Sequence, residues 1–93
     1  MFNLILSSLS QKFLKKCDKQ LYYRLLDKIQ NLSQNPFPSD SKRIAGREEK
    51  VFRIRVGDYR ILYVVYNDKN EILIADIDKR SRVYEWGLNS SEK

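Results

Sequence analysis

The sequence contains no histidine, and its single cysteine is Cys17. Without histidine there is no Ser-His-Asp triad, no Cys-His dyad and no histidine-ligated metal. One cysteine permits neither an internal disulfide nor a zinc cluster. No apolar run approaches the ~20 residues that a membrane span needs. The apolar stretch Phe2–Leu6 is too short for a signal peptide, and no basic segment precedes it. Repeats and low-complexity tracts are absent as well. These absences leave a soluble, cytoplasmic domain, away from membranes, that needs neither cofactor nor metal. At 93 residues the chain is too short for two cores and long enough to fold alone. Hydrophobic residues make up 42% and charged residues 32%, a balance that supports a packed core and argues against disorder.

The charge is plentiful and unevenly placed. The net charge is +6, from 18 Lys+Arg and 12 Asp+Glu. Residues 1–40 hold six cations and three anions, residues 41–60 seven and three, and residues 61–93 five and six. Most of the excess thus lies in twenty central residues, where five of the seven cations are arginine: Arg43, Arg47, Arg53, Arg55 and Arg60. Arginine is favoured over lysine where a planar, bidentate contact to phosphate matters. A clustered basic segment on a small domain points to a polyanion, with a solvated basic surface as the plainer alternative.

Local patterning predicts an α+β domain over residues 1–88, with 89–93 as a frayed tail. Phe2–Leu6 reads as a strand. Ser8 offers an N-cap with Gln11 as its capping-box partner. Leu9, Phe13 and Cys17 follow at i, i+4 and i+8, with Leu14 beside them, as the apolar face of a helix. Asp18 can cap a second helix, whose stripe is Leu21, Leu25, Ile29 and Leu32. Asn35-Pro36-Phe37-Pro38 ends it, because proline removes a donor and disfavours helix before it. Lys50–Val56, Tyr59–Tyr66 and Glu71–Ile77 read as strands of an antiparallel sheet, joined by turns at Gly57-Asp58 and Asn67–Asn70. Asp78–Tyr84 is expected to leave the sheet.

A two-residue turn at 57–58 pairs Val56 with Tyr59, Arg55 with Arg60 and Ile54 with Ile61. Opposed residues share a face. Phe52, Ile54, Val56, Tyr59, Ile61, Tyr63 and Val65 therefore form an apolar face for the helices. Arg53, Arg55 and Arg60 share the other face, away from the core, where a substitution at Arg60 is expected to change stability little. Like charges directly opposed repel, so these arginines either splay into water or are held for an anion. Val51, Leu62 and Val64 lie on the same face and suggest an apolar patch that something else covers. Continuing the register adds Leu73, Ala75 and Ile77 to that face. It also places Asp76 towards the core, which conflicts with its charge unless a bulge or an edge intervenes. Cys17 reads as a helix packing residue rather than a nucleophile. Lys12, Lys15, Lys16 and Lys19 form a basic helical side.

The run Val51-Phe52-Arg53-Ile54-Arg55-Val56-Gly57-Asp58-Tyr59-Arg60-Ile61-Leu62-Tyr63 resembles the signature of the RelE/ParE superfamily of toxins from toxin–antitoxin systems. Ile44-Ala45-Gly46 before it matches the family's "Leu-x-Gly" element. Lys79-Arg80-Ser81-Arg82-Val83-Tyr84 after it is similar to the terminal "Arg-x-x-x-Tyr". The order of elements also matches, so the resemblance covers roughly the whole chain. It implies a RelE-like fold and a toxin that cleaves mRNA in the ribosomal A site. The implied chemistry is metal-independent attack of the ribose 2′-hydroxyl on the neighbouring phosphate. It further implies a cognate antitoxin that wraps the toxin, in a toxin–antitoxin heterotetramer.

Carried over by position, the family's site residues are Arg53, Arg55, Arg60, Arg80 and Tyr84. Arg55 and Arg60 would clamp the phosphate, Arg53 would hold it or the flanking backbone, and Arg80 would donate from the other side. Tyr84 would stack on a base or shuttle a proton; packing beside Trp86 is its alternative role, as a surface cation is for Arg80. Lys42, Arg43 and Arg47 read as secondary contacts to the RNA backbone. In the best-known bacterial RelE members the first-strand positions are lysines, one of them proposed as general base. Arginine, with a pKa above ~12, is a poor base. The pattern thus keeps the clamp and leaves the general base open, to be supplied by a substrate base or a ribosomal group. A ParE-like poison of DNA gyrase shares the fold and is the alternative.

Overall fold

The computed structural model describes residues 1–44 and 50–79. Strand β1 (Asn3–Leu6) leads into helices α1 (Ser8–Lys16) and α2 (Lys19–Gln34). Strands β2 (Lys42–Arg43), β3 (Val51–Val56), β4 (Tyr59–Tyr66) and β5 (Glu71–Lys79) follow, with a single 3₁₀ turn at Asn67–Lys69. The strands form one sheet in the order β1-β5-β4-β3-β2. The β2–β5 portion is antiparallel, and β1 joins it in parallel beside β5. The α+β class holds, with the sheet mixed rather than purely antiparallel. No described helix is long and apolar enough to cross a membrane.

The second helix forms as its sequence dictates. Asp18 Oδ1 accepts from the Leu21 N–H at 2.9 Å, filling one of the four open donors of the first turn. Leu21, Leu25, Ile29 and Leu32 are all buried, and Asn35 closes the helix before Pro36. The first helix differs from expectation. Its cap is Ser7, not Ser8, and Gln11 reaches the Leu6 carbonyl instead of completing a capping box. The buried face is also turned from the expected one: Leu9 is 57% exposed, while Ser10 and Leu14 are buried. Phe13 and Cys17 pack at the edge of the core.

Between helices and sheet lies the main core, which includes Leu25, Ile29, Leu32, Ile54, Ile61, Tyr63, Ile72, Ile74 and Ile77. The seven residues assigned to this face of the hairpin all belong to it or pack against it. Tyr63 is fully buried, and its hydroxyl donates to the Pro36 carbonyl at 2.7 Å, tying the sheet to the segment after α2. Burial is also the main reason its phenol is held above its ordinary pKa.

The hairpin register is as the turn arithmetic requires: Val56 opposes Tyr59, Arg55 opposes Arg60 and Ile54 opposes Ile61. Gly57 takes a positive φ of 59°, where a side chain would be strained. A Cβ at Gly57 would also stand 3.0 Å from Arg24 Nη2.

On β5 the simple alternation fails. Leu62 opposes Asp76 and Tyr63 opposes Ile74, so Ala75 is an extra residue at a register shift. The shift puts Ile77 in the core and turns Asp76 to the arginine face, the reverse of the unbroken alternation. Strand β5 also runs on through Asp78 and Lys79, further than expected. The carbonyls around the shift have partners in the first helix. Ser7 Oγ donates to Ala75 O at 2.8 Å, Ser10 Oγ to Ile74 O at 2.9 Å, and the Ser7 N–H to Ile74 O at 3.0 Å.

Candidate active site

The outer face of the sheet is ordered in rows. Nearest the hairpin turn, Arg55, Arg60 and Asp78 oppose one another across β3, β4 and β5. In the next row are Lys42, Arg53, Leu62 and Asp76 on β2 to β5. The third row is Val51, Val64, Leu73 and Ile5. The face is therefore charged at the turn end and apolar further along.

Arg60 lies at the centre of the charged part. Its direct neighbours are Arg55 and Asp78, and its diagonal neighbours are Arg53 and Asp76, at roughly 7–8 Å between backbones. Three guanidinium groups and two carboxyl groups thus converge on two rows. Their exposure is graded: Arg55 is exposed, Arg53 half-buried, and Arg60 only 2% exposed. The burial of Arg60 corrects the expectation of a surface cation. A guanidinium below the surface must keep charged or polar company, since an isolated charge in low dielectric is costly. One such contact is the Nη1 donation to its neighbour's carbonyl, Tyr59 O, at 3.5 Å.

The apolar part of this face also differs from expectation. Val51, Leu62 and Val64 are buried within the chain, with Ile44, Tyr66 and Ala75 packed against them. They form a second small core rather than a bare patch awaiting a partner.

Of the secondary cations, Lys42 opposes Arg53 and shares its face. Arg43 opposes Phe52 and therefore projects to the helix side, away from the arginine rows. Arg47, Arg80 and Tyr84 lie outside the described residues, as do Ala45, Gly46 and the tail 89–93.

Two carboxylates were missed as site members by the sequence reading, Asp76 and Asp78. The signal was present as a misfit: an aspartate where alternation demanded a core residue. Burial lifts the Asp76 pKa above its usual value, the Ile77 N–H bonded to Oδ1 at 2.8 Å pulls it down, and nearby Asp78 raises it further. A half-buried carboxyl so placed can exchange a proton, while the arginines can neutralise phosphate charge. Among the described residues, no group of three or more Cys, Asp or Glu side chains is arranged to hold a metal ion.

Comparison with known proteins bears on the family and the fold. Residues 4–84 match the family model described as the ParE toxin of type II toxin–antitoxin systems, parDE. A protein of Methanocaldococcus jannaschii called RelE1 is 33% identical over 87 residues, covering 90% of this chain and 96% of that one. Among solved structures, the archaeal RelE–RelB complex of Pyrococcus horikoshii OT3 is similar with a TM-score of 0.76 and 27% identity, over 87% of this chain and 97% of that one. The isolated Escherichia coli RelE toxin, 19% identical, shares the fold with a TM-score of 0.74 over 96% and 97% of the two chains. By the family model and the RelE1 relative together, this chain belongs to the RelE/ParE superfamily of toxins of type II toxin–antitoxin systems.

Proposed function

We propose that the protein is a ribosome-dependent mRNA endoribonuclease that arrests translation by metal-independent transesterification in the cytoplasm. The observation that carries this reading is the convergence of Arg53, Arg55 and Arg60 on one sheet face, opposite the helices. Cleavage through the 2′-hydroxyl concentrates negative charge on the phosphorane, and preorganised guanidinium groups stabilise charge where it develops. Arg55 is the exposed member and the first contact for the scissile phosphate. Arg53 holds the same phosphate or the adjoining backbone, with Lys42 extending the cationic row towards β2. Arg80 and Tyr84 complete the site by their match to the family's terminal motif, and Arg47 adds a backbone contact. The domain spans residues 1–88.

The solved relatives from Pyrococcus horikoshii and from Methanococcus jannaschii are RelB–RelE complexes. A cognate antitoxin is accordingly the proposed partner here, in a heterotetramer by analogy. Its inhibitory segment would carry acidic residues against the arginine rows and fold as it binds. Because Val51, Leu62 and Val64 are already covered, its apolar contacts must fall elsewhere.

The matched family model is that of ParE toxins, which favours a second reading as a gyrase poison. Induction in growing cells, with new protein and new DNA labelled separately, decides between them. Prompt loss of protein synthesis, reversed by co-expression of the neighbouring antitoxin, is expected. Loss of DNA synthesis first, with induction of the damage response, would contradict the nuclease reading.

A further inference from the structure

An RNA-cleaving site with arginines but no histidine lacks an evident proton acceptor. Lysine is replaced at both first-strand positions, and arginine does not deprotonate near neutral pH. The structure offers one group for this task that the sequence pattern had turned the wrong way.

Asp76 reaches the arginine face only because Ala75 is inserted opposite β4. An unbroken strand would send it into the core. Bulges of this kind recur beside active sites, where they re-aim a side chain. This one is held by the first helix through Ser7 Oγ on Ala75 O and through both Ser10 Oγ and the Ser7 N–H on Ile74 O. The carboxyl is anchored at Oδ1 by the Ile77 N–H. It stands diagonal to Arg60 and in the same row as Arg53 and Lys42, with Asp78 two residues on. These are the charged groups that face it on the described strands.

We propose that Asp76 is the catalytic proton acceptor of this site, a role that rests on the endoribonuclease reading above. The Asp76 carboxylate takes the proton of the ribose 2′-hydroxyl. The 2′-oxygen forms its bond to phosphorus as the bond from phosphorus to the 5′-oxygen breaks. The leaving 5′-oxygen takes a proton from water, and Asp76 returns its own to solvent. The products are a 2′,3′-cyclic phosphate and a 5′-hydroxyl. A carboxyl held above its usual pKa by burial is better matched to this task than an ordinary surface aspartate.

The test is single-turnover cleavage of mRNA on programmed ribosomes across the acidic to neutral pH range, with wild type, Asp76→Asn, Asp76→Glu and Asp78→Asn. The wild-type rate is expected to rise with pH along an acidic limb and then level off. Asp76→Asn is expected to lose about 10²–10³-fold at the plateau and to lose that limb. Asp76→Glu retains a displaced limb, and Asp78→Asn moves it to lower pH by removing a like charge. Melting curves separate chemistry from folding, and Asp76→Glu keeps the anion beside Arg60 and Arg53 if Asp76→Asn lowers the midpoint. An Asp76→Asn protein that cuts at the wild-type rate, or that slows while keeping the limb, overturns the inference alone. A folded wild-type protein that cuts nothing on ribosomes overturns the nuclease reading beneath it.

Discussion

Arg60 carries two demands at once. As one of three guanidinium groups on the outer face it belongs to the clamp, yet it is as inaccessible as the core isoleucines around it. Its row partners are a cation on one side and an anion on the other, Arg55 and Asp78. Removing its side chain therefore does more than relieve repulsion. It removes a buried side chain and with it the donation to Tyr59 O. Arg60→Ala is expected to cost about 1–3 kcal/mol of stability, read as a lowered urea midpoint at unchanged slope. A change within about 0.5 kcal/mol, the usual range for surface substitutions, would show that the burial is not structurally used. This burial is not legible in the sequence, because a two-residue turn fixes which face a residue takes and not how deeply its neighbours cover it. The same limit applies to Val51, Leu62 and Val64, whose face was read correctly and whose burial within the chain was not.

At the scale of elements, the parts legible in advance are those governed by local rules. The Asp18 cap, the Leu21-Leu25-Ile29-Leu32 stripe and the hairpin register follow from capping, helical period and turn length. What escaped is governed by contacts distant in sequence. Ser7 and Ser10 look like ordinary cap and surface residues, but they bond carbonyls of β5 more than sixty positions away. Those bonds both shift the cap from Ser8 and fix the bulge that rotates Asp76. The two-residue strand β2 was likewise invisible, since it exists only by pairing with β3. A direct consequence is that Ser7→Ala loses the N-cap and the Ala75 carbonyl bond together. Its expected cost is about 1–2 kcal/mol in chemical denaturation, more than an exposed serine would show. A neutral result would mean that the bulge holds its shape without the first helix.

For the whole molecule, the layered arrangement assigns separate tasks to the two sheet faces. The helices cover one face and supply the core, which leaves the turn end of the other free to collect charge. Lys42, Arg53, Arg55 and Arg60 stand there with Asp76 and Asp78, while Lys12, Lys15, Lys16 and Lys19 carry further positive charge on the helical side. A substrate already positioned by a larger machine needs little further binding energy from so small a surface, which suits a ribosome-bound mRNA.

The central claim is that the arginine face clamps the scissile phosphate, and Arg55 tests it most directly, because it is exposed and its loss should leave folding within about 0.5 kcal/mol of wild type. The measurement is single-turnover cleavage of ribosome-bound mRNA by Arg55→Ala and Arg55→Lys beside the wild type. Arg55→Ala is expected to fall about 10²–10³-fold with an unchanged melting midpoint, and Arg55→Lys to recover only part, because lysine keeps the charge without the planar fork. Cleavage by Arg55→Ala at the wild-type rate would contradict the clamp.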